Sequence, residues 1–338
     1  MPEQQRTTVQ VDGHRLALTN LDKVLYPGSG TTKAEVMQYL MAVAPALLPQ
    51  LRDRPLTRVR WPHGTGDQSF FEKNLPSGSP RWVRRVELAH SSRRSGDELV
   101  GARQDRPGRP GRSDRSGRSG RASGSSGSGS RGGETIAYPL IDDVAGLVWL
   151  ANLSALELHV HQWRVDAAGR PRVPDRLVID LDPGEPAGLA ECSRVALLVR
   201  DALAGVLPAT PVPVTSGNKG MQIYVPTPRL RELDSTRALA QGLAETLATQ
   251  HPELVVARMT KALRPGKVFL DWSQNTRAKT TICPYSLRGR SGIPTVAAPR
   301  TWAEIEAAAA AEADVLHQLG PREVLSRLET DGDLMAGV

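Results

Sequence analysis

Apolar residues recur along the chain with helical and strand periods. In KAEVMQYLMAVAPALLPQL, the positions Val36, Tyr39, Leu40, Val43 and Leu47 share one face of a helix, so the segment predicts a single amphipathic helix. Further on, the pattern predicts strands at 156–164, 176–182, 212–216, 221–226 and 267–272, and helices at 188–206 and 235–250. Strands interleaved with helices are typical of an α/β or α+β fold with helices on one face of the sheet.

The two ends of the chain carry shorter patterns. A strand pair is predicted around HRLALTN, and RPLTRVRWP predicts a strand with alternating cations, among them Arg60. TWAEIEAAAAAEADVLHQLG and PREVLSRLETDGDL predict two short amphipathic helices, which form a C-terminal extension over 301–338. We therefore predict a single domain over 1–338.

Segment 101–133 interrupts this succession of predicted strands and helices. It contains almost only Gly, Ser, Arg, Pro and Asp, so it cannot bury enough apolar surface to offset the entropy of ordering it, and we predict that it is disordered. VRRVELAH before it and TIAYPLIDD after it both have the pattern of strands. We interpret the tract as a long loop inserted into a hairpin; a linker between two domains is the alternative.

Composition narrows the class of protein. An apolar fraction of 39% suits a globular core, and no window approaches the roughly 18 to 20 continuous apolar residues that cross a bilayer, so we expect a cytoplasmic, nucleoid-associated protein without a membrane partner. The net charge of +7 lies almost wholly between Arg93 and Gly133, where ten arginines face four acidic residues. Cys192 and Cys283 are too few for a disulfide framework or a thiolate zinc site, and we expect both to be buried.

Candidate chemistry begins at RLVIDLDPGEP, where an apolar strand ends in Asp180 and Asp182. Residues two apart on a strand point to the same face, and two carboxylates held there repel each other unless a cation lies between them. A solvated turn with an Asx cap is the alternative. VFLDWSQN places Asp271 at another strand end, and three carboxylates on neighbouring strands suit two Mg²⁺ or Mn²⁺ ions for in-line displacement at phosphorus.

A second pattern suits phosphate. TSGNKGMQIYVP places Ser216 and Lys219 in a glycine-containing turn between two apolar strands, where backbone N–H groups and the lysine can meet an anion. An ordinary hairpin turn is the alternative. NTRAKTTICPYSLRGR adds Arg288 and Arg290, two apart on one face, which could both reach a triphosphate; a solvated basic face is the alternative.

Seven blocks together resemble one family, the primase-polymerases of bacterial end joining, represented by the polymerase domain of DNA ligase D and its stand-alone relatives. The blocks are LTNLDKVLYP, SFFEKN, ELHVHQW, VIDLDPGE, SGNKG, FLDWSQN and KTTICPYSLRGR, in the family's order and over nearly the whole chain. The resemblance implies an archaeo-eukaryotic primase-type catalytic core with an RRM-like mixed sheet flanked by helices. It also implies Mn²⁺ or Mg²⁺ as cofactor and template-directed addition of nucleotides, often ribonucleotides, at broken DNA ends.

The resemblance assigns roles to individual positions. It implies metal ligation by Asp180, Asp182 and Asp271, with His159 close to the catalytic centre. It implies contacts to the incoming NTP or dNTP from Ser216, Lys219, Gln222, Gln274, Arg288 and Arg290. It implies DNA contacts from Asn20, Lys23 and Lys33, which grip a 5′-phosphate, from Arg60, and from Phe70 and Phe71, on which template bases stack.

Two features depart from the family. Gln222 stands where many primase-polymerases have His, and a neutral amide donates a hydrogen bond to a phosphate oxygen but carries no charge. The Arg/Gly/Ser tract falls where the family has a short surface hairpin loop, and we hypothesise that it tethers DNA. The leading interpretation is a polymerase acting at double-strand breaks with a separate DNA ligase and an end-binding protein. A non-catalytic DNA-end-binding module and a de novo primase are the alternatives.

Overall fold

The structure is a computed structural model, and it describes residues 6–89, 135–227, 235–311 and 315–338. The chain divides into one unit of Met1–Glu87 with Ala137–Val338 and a second of Leu88–Ile136. Most of the second unit, including the predicted disordered segment 101–133, lies outside the described residues. The elements below therefore belong almost entirely to the first unit.

Helices account for much of the first unit. They are α1 (Lys33–Ala42), α2 (Ala44–Leu51), α3 (Val144–Asn152), α4 (Leu189–Leu203), α5 (Ser235–Gln250), α6 (Trp302–Ala310) and α7 (Pro321–Thr330). The prediction of one continuous helix from Lys33 is wrong, because the helix ends at Ala42 and a second begins at Ala44. Pro45 lacks the N–H that an unbroken helix requires there, but it is favourable in the first turn of a new helix.

The strands are short and numerous. In the first part of the chain they are β1 (Arg6–Val11), β2 (His14–Thr19), β3 (Val24–Tyr26), β4 (Thr31–Thr32), β5 (Leu56–Arg60), β6 (Phe70–Glu72), β7 (Arg84–Ala89), β8 (Thr135–Leu140), β9 (Ala155–Val160), β10 (Trp163–Val165) and β11 (Pro171–Pro174). In the second part they are β12 (Arg176–Pro183), β13 (Val212–Thr215), β14 (Met221–Pro226), β15 (Val255–Val256), β16 (Val268–Asp271), β17 (Thr281–Ile282), β18 (Leu287–Arg288), β19 (Thr295–Val296) and β20 (Ala298–Pro299). β7 and β8 pair with each other, which fits the predicted hairpin.

A six-stranded mixed sheet forms the centre, with the strand order β15-β16-β12-β14-β13-β20. Only β15 and β16 are parallel; the other pairs are antiparallel. Leu177, Ile179 and Leu181 of β12 pack with α4 and α5 in one apolar cluster, whereas Val178 faces a second cluster on the opposite side. Because side chains alternate along a strand, Asp180 points away from the helices with Val178. The predicted α/β fold class is confirmed.

A second sheet contains four strands in the order β17-β9-β5-β6. The strand with alternating cations that RPLTRVRWP predicted is β5, which carries Arg58 and Arg60. Arg58 is fully buried and donates to Glu72 at 2.5 Å, and Arg60 donates to the other oxygen of Glu72 at 2.7 Å. Arg54, just before the strand, is also buried and donates to Asp175 at 2.8 Å. Glu72 and Asp175 thus neutralise arginines that the fold buries wholly or in part.

The remaining predictions concern cysteines and membranes. Cys192 and Cys283 are both buried free thiols, as predicted. Burial raises the pKa of Cys192 well above its ordinary value and that of Cys283 to about 12, so both stay protonated at neutral pH. Within the described part of the chain, no helix is both long and apolar enough to cross a membrane.

Candidate active site

The aspartates of interest meet on adjacent strands of the six-stranded sheet. Asp180 of β12 lies directly opposite Asp271 of β16, and Asp182 follows two residues along the same face of β12. Burial and the nearby charges of Asp182 and Asp271 raise the pKa of Asp180 well above its ordinary value. Burial and Asp271 raise the pKa of Asp182 as well. A cation placed among these groups would relieve the repulsion.

Asp271 is held by its own hydrogen bonds. Its Oδ1 accepts from the Ser273 amide at 3.0 Å and the Ser273 hydroxyl at 2.5 Å, and its Oδ2 accepts from Gln274 at 2.8 Å. Lys279 in turn donates to the Ser273 hydroxyl. As these side chains stand, the described residues contain no group of three or more His, Cys, Asp or Glu arranged to hold a metal ion.

Gln222 lies on the other side of Asp180, opposite it on β14. Its amide Nε2 donates to Asp180 Oδ1 at 3.1 Å, and its Oε1 accepts from the Tyr224 hydroxyl at 2.9 Å. The same hydroxyl lies 2.8 Å from the Ile282 carbonyl oxygen. The resemblance implied a contact from Gln222 to the nucleotide phosphate, which stays a prediction; in the structure one N–H of its amide orients the Asp180 carboxylate.

The SGNKG turn between β13 and β14 approaches its neighbours too closely for side chains at two positions. A Cβ at Gly217, where φ is +72°, would lie 2.4 Å from Arg288 Cγ, and one at Gly220 would lie 2.1 Å from the Leu181 carbonyl oxygen. The turn can therefore reach the end of β12 and Arg288 only with glycine at both places. Lys219 in this turn pairs with Glu185 at 2.6 Å, and both side chains are exposed.

A cavity of about 330 Å³ joins the turn to the aspartates. Its lining includes eight of the predicted residues: His159, Asp180, Asp182, Ser216, Lys219, Gln222, Gln274 and Arg288. Asp271 and Arg290 are not among the lining residues. Arg264 also lines the cavity, although no sequence pattern singled it out. Its positive charge opposes the rise in the pKa of Asp182.

A fully buried carboxylate, which no sequence pattern singled out, contacts two of the residues that line the cavity. Glu157 of β9 has no exposed surface, and its Oε2 accepts from His159 Nε2 at 2.9 Å. Its Oε1 lies 3.6 Å from Arg288 Nε and 3.5 Å from Arg290 Nε. Burial alone would raise the pKa of Glu157, but the histidine and the two arginines outweigh it and lower this pKa to about 2.

The residues predicted to grip a 5′-phosphate, Asn20, Lys23 and Lys33, lie at and just before the start of α1. Lys33 is buried and its Nζ donates to the Thr19 carbonyl at 2.7 Å, while its backbone N–H donates to the Lys23 carbonyl at 2.8 Å. Asn20 adopts a left-handed conformation with φ of +52° at the preceding turn. Burial lowers the pKa of Lys33 to about 8, and the charges of Lys23 and Arg60 act in the same direction. An anion among these three cations would be stabilised.

Phe70 and Phe71 lie on the edge strand β6 and are 42% and 59% exposed, which excludes core packing for both. Val59 of β5 pairs with Phe71 on one side and with Glu157 on the other, so Phe71 shares a face with Glu157. The Phe71 ring lies 6.4 Å from the His159 ring in an edge arrangement. Phe70 points to the opposite face, so the two rings cannot serve one stacking surface together.

The seven sequence blocks resemble the primase-polymerases, and the fold and the site agree with that class of protein: two carboxylates of β12 and residues of the SGNKG turn line one cavity. Within that class, the chain belongs to the family of LigD primase-polymerase domains. The family model described as "LigD, primase-polymerase domain" matches residues 32–106 and 121–335. The predicted family is thereby confirmed.

Individual relatives agree with this assignment. The multifunctional non-homologous end joining DNA repair protein LigD of Mycobacterium tuberculosis is 43% identical over 326 residues, which are 95% of this chain and 36% of that protein. The bifunctional non-homologous end joining protein LigD of Bacillus subtilis is 31% identical over 86% of this chain and 40% of its own length. The chain thus spans a little over a third of the length of the curated relatives it matches.

A solved structure matches along the same extent. The polymerase domain from Mycobacterium tuberculosis ligase D, in complex with DNA, superimposes with a TM-score of 0.78 and 42% identity, covering 95% of this chain and 96% of that one. The similarity therefore covers nearly the whole of that solved domain.

Proposed function

We propose that the protein is a template-directed nucleotidyl transferase that adds ribonucleotides or deoxyribonucleotides to DNA ends or gaps during non-homologous end joining. The observation that carries the proposal is the position of Asp180 and Asp182 in the cavity that also contains Ser216, Lys219 and Arg288. A triphosphate bound in that cavity would meet the carboxylates on one side and the basic side chains on the other.

Asp180, Asp182 and Asp271 would hold the Mn²⁺ or Mg²⁺ ions, and their oxygen ligands are those that such hard cations prefer. When bound, two ions would activate the attacking hydroxyl and neutralise the leaving pyrophosphate. The raised pKa of Asp180 supports a cation site, because an uncompensated carboxylate is unfavourable there. Gln222 keeps Asp180 in place from the β14 side.

Lys219 and Arg288 would bind the triphosphate from the turn and from β18 respectively. Lys219 must first exchange Glu185 for a phosphate oxygen, which costs little because both side chains of this ion pair are exposed. The 5′-phosphate of a downstream strand would lie among Asn20, Lys23 and Lys33. Such a pocket suits a gap-filling substrate, whose downstream strand has a 5′-phosphate. De novo synthesis of a primer would not need it.

The test measures Mn²⁺-dependent nucleotide incorporation on a gapped, 5′-phosphorylated duplex. Wild type should extend the primer, and Asp180→Ala should reduce the rate by about a hundredfold or more, since metal ligands contribute several kcal/mol of transition-state stabilisation. Asp201→Ala, on the exposed face of α4, is the matched control and should behave as wild type. Equal and negligible incorporation by wild type and Asp180→Ala would instead favour the non-catalytic DNA-end-binding module.

A further inference from the structure

Glu157 connects groups that the cavity presents on separate elements. Its carboxylate accepts from His159 on its own strand and from the Gly289 amide at 3.1 Å, and it lies within ion-pair distance of Arg288 and Arg290. The turn that carries Gly289 packs closely against Trp61, since a Cβ at Gly289 would lie 2.5 Å from the Trp61 ring. One carboxylate therefore ties β9 to the turn after β18.

A buried carboxylate is unfavourable unless charge and hydrogen bonds compensate it. Here two guanidinium groups face one carboxylate, so Glu157 alone does not neutralise both. The nearest guanidinium atom of each arginine is Nε. Among the described residues, no hydrogen bond engages the terminal nitrogens of Arg288, which lines the cavity. Its outer edge is thus available for two oxygens of a phosphate.

We propose that Glu157 is a positioning residue for the nucleotide: it holds Arg288 at the triphosphate and His159 beside the reacting end, without touching the substrate itself. This inference rests on the proposed function for the identity of the ligand. It concerns the binding of a triphosphate, however, and can be tested without turnover.

A pure charge effect and a positioning role predict opposite changes in triphosphate affinity when the charge of Glu157 is removed. Removing a negative charge from beside two arginines makes the site more positive, so a pure charge effect would tighten triphosphate binding. If Glu157 acts by holding Arg288 in place, its neutralisation releases the guanidinium and weakens binding. Glu157→Gln keeps the size of the side chain and an oxygen that accepts from Gly289, but it removes the charge.

The experiment is equilibrium binding of ATP to the full chain, followed by calorimetry at fixed salt and Mn²⁺ concentration. Glu157→Gln should raise the Kd for ATP by about tenfold, a binding free-energy loss of about 1.4 kcal/mol. Unchanged or tighter binding would overturn the proposal. Glu304→Gln is the matched control, because Glu304 also pairs with two arginines, Arg300 and Arg327, but lies outside the cavity lining.

A double-mutant cycle separates positioning from a general loss of structure. If Glu157 acts through Arg288, adding Arg288→Gln to Glu157→Gln should raise Kd far less than Arg288→Gln does in the wild-type background. Additive effects would contradict the inference. If Glu157→Gln does not fold, Glu157→Asp keeps the charge but withdraws it by one methylene. Weaker ATP binding by that variant at an unchanged Tm would support positioning, and wild-type affinity would refute it.

Failure of the proposed function gives a different pattern. A wild-type protein that binds ATP in a Glu157-dependent manner but extends no primer would leave the positioning role intact and exclude the polymerase. If instead the wild-type protein extends primers and Glu157→Gln leaves the Kd for ATP unchanged, the polymerase function stands and the positioning role is excluded.

Discussion

Asp180 lies in a row of polar side chains that crosses the six-stranded sheet from Asp271 to Gln222. Burial and repulsion between the aspartates raise its pKa, whereas the hydrogen bond from Gln222 lowers it. The Tyr224 hydroxyl orients that amide through Gln222 Oε1. A histidine at position 222 would bring a ring and a possible charge to the same place. The glutamine stabilises Asp180 by a hydrogen bond and brings no charge of its own.

At Lys33 we predict a pH-dependent contact with the DNA 5′-phosphate. Its pKa in the free protein is about 8, below the ordinary 10.5, so it loses its charge as pH rises through 8. The phosphate has its second pKa at about 6 and stays a dianion over this range. The ratio of Kd values for duplexes without and with a 5′-phosphate should fall between about pH 7 and 9 as the lysine discharges. Fluorescence anisotropy measures both values.

Lys33→Gln should show a small, pH-independent ratio, and persistence of the pH dependence in this variant would assign it to another group. Stability should move the other way. The unfolded chain holds the Lys33 proton up to about pH 10.5, whereas the folded protein releases it near 8, so the contribution of Lys33 to the free energy of unfolding falls as pH decreases between these values.

At the scale of elements, the edge strand β6 brings two exposed rings to different faces of the four-stranded sheet. The sequence motif SFFEKN gave no reason to assign Phe70 and Phe71 to separate surfaces. Pairing of β6 with β5 places Phe71 in the row of Glu157, and Phe70 in the row of Arg60. A base stacked on Phe71 would lie near His159, whereas one stacked on Phe70 would lie on the side of Arg60.

We predict that Phe71→Ala weakens binding of a DNA end with a single-stranded template overhang by about 1–3 kcal/mol, the usual contribution of one stacked base. Its Tm should change little because the ring is 59% exposed. Phe71→Leu keeps an apolar side chain but has no aromatic face. If stacking is the interaction, Leu should fail to restore affinity; full rescue by Leu in a gel-shift titration would point to apolar contact alone.

At the scale of the whole molecule, positive charge is unevenly distributed. Six of the seven net charges fall between Arg93 and Gly133, so the rest of the chain is nearly neutral. Within it, Glu72 and Asp175 neutralise arginines on and near β5, and Glu157 does so beside the cavity. The rest of the chain therefore has little net charge with which to attract DNA over a distance.

We predict that the segment 101–133, with eight arginines and two aspartates, supplies much of the salt-dependent affinity for DNA. Replacing it by a short Gly-Ser loop should weaken binding and flatten the plot of log K against log salt by about 0.9 for each DNA phosphate that is no longer neutralised. A variant of equal length with these arginines changed to glutamine controls for loop length. An unchanged slope in both variants would exclude the tether.

The sequence by itself determined most elements and the local chemistry of the site. Periodicity located the strands at 176–183 and 221–226 and helix α5 closely, because side-chain direction follows directly from spacing along an element. The aspartate pair at the end of β12 was visible for the same reason. Ordered motifs over nearly the whole chain then predicted the family, which the family model confirms.

Only the tertiary structure decided which residues meet from distant parts of the chain. Glu157 and Arg264 were missed because a lone acid or base has no local pattern, and their roles arise from partners more than eighty residues away. The burial of Arg58 depends on pairing between β5 and β6, and the donation by Gln222 to Asp180 depends on strand register. Spacing along the chain fixes direction, but distance between elements is set by how sheets and helices pack.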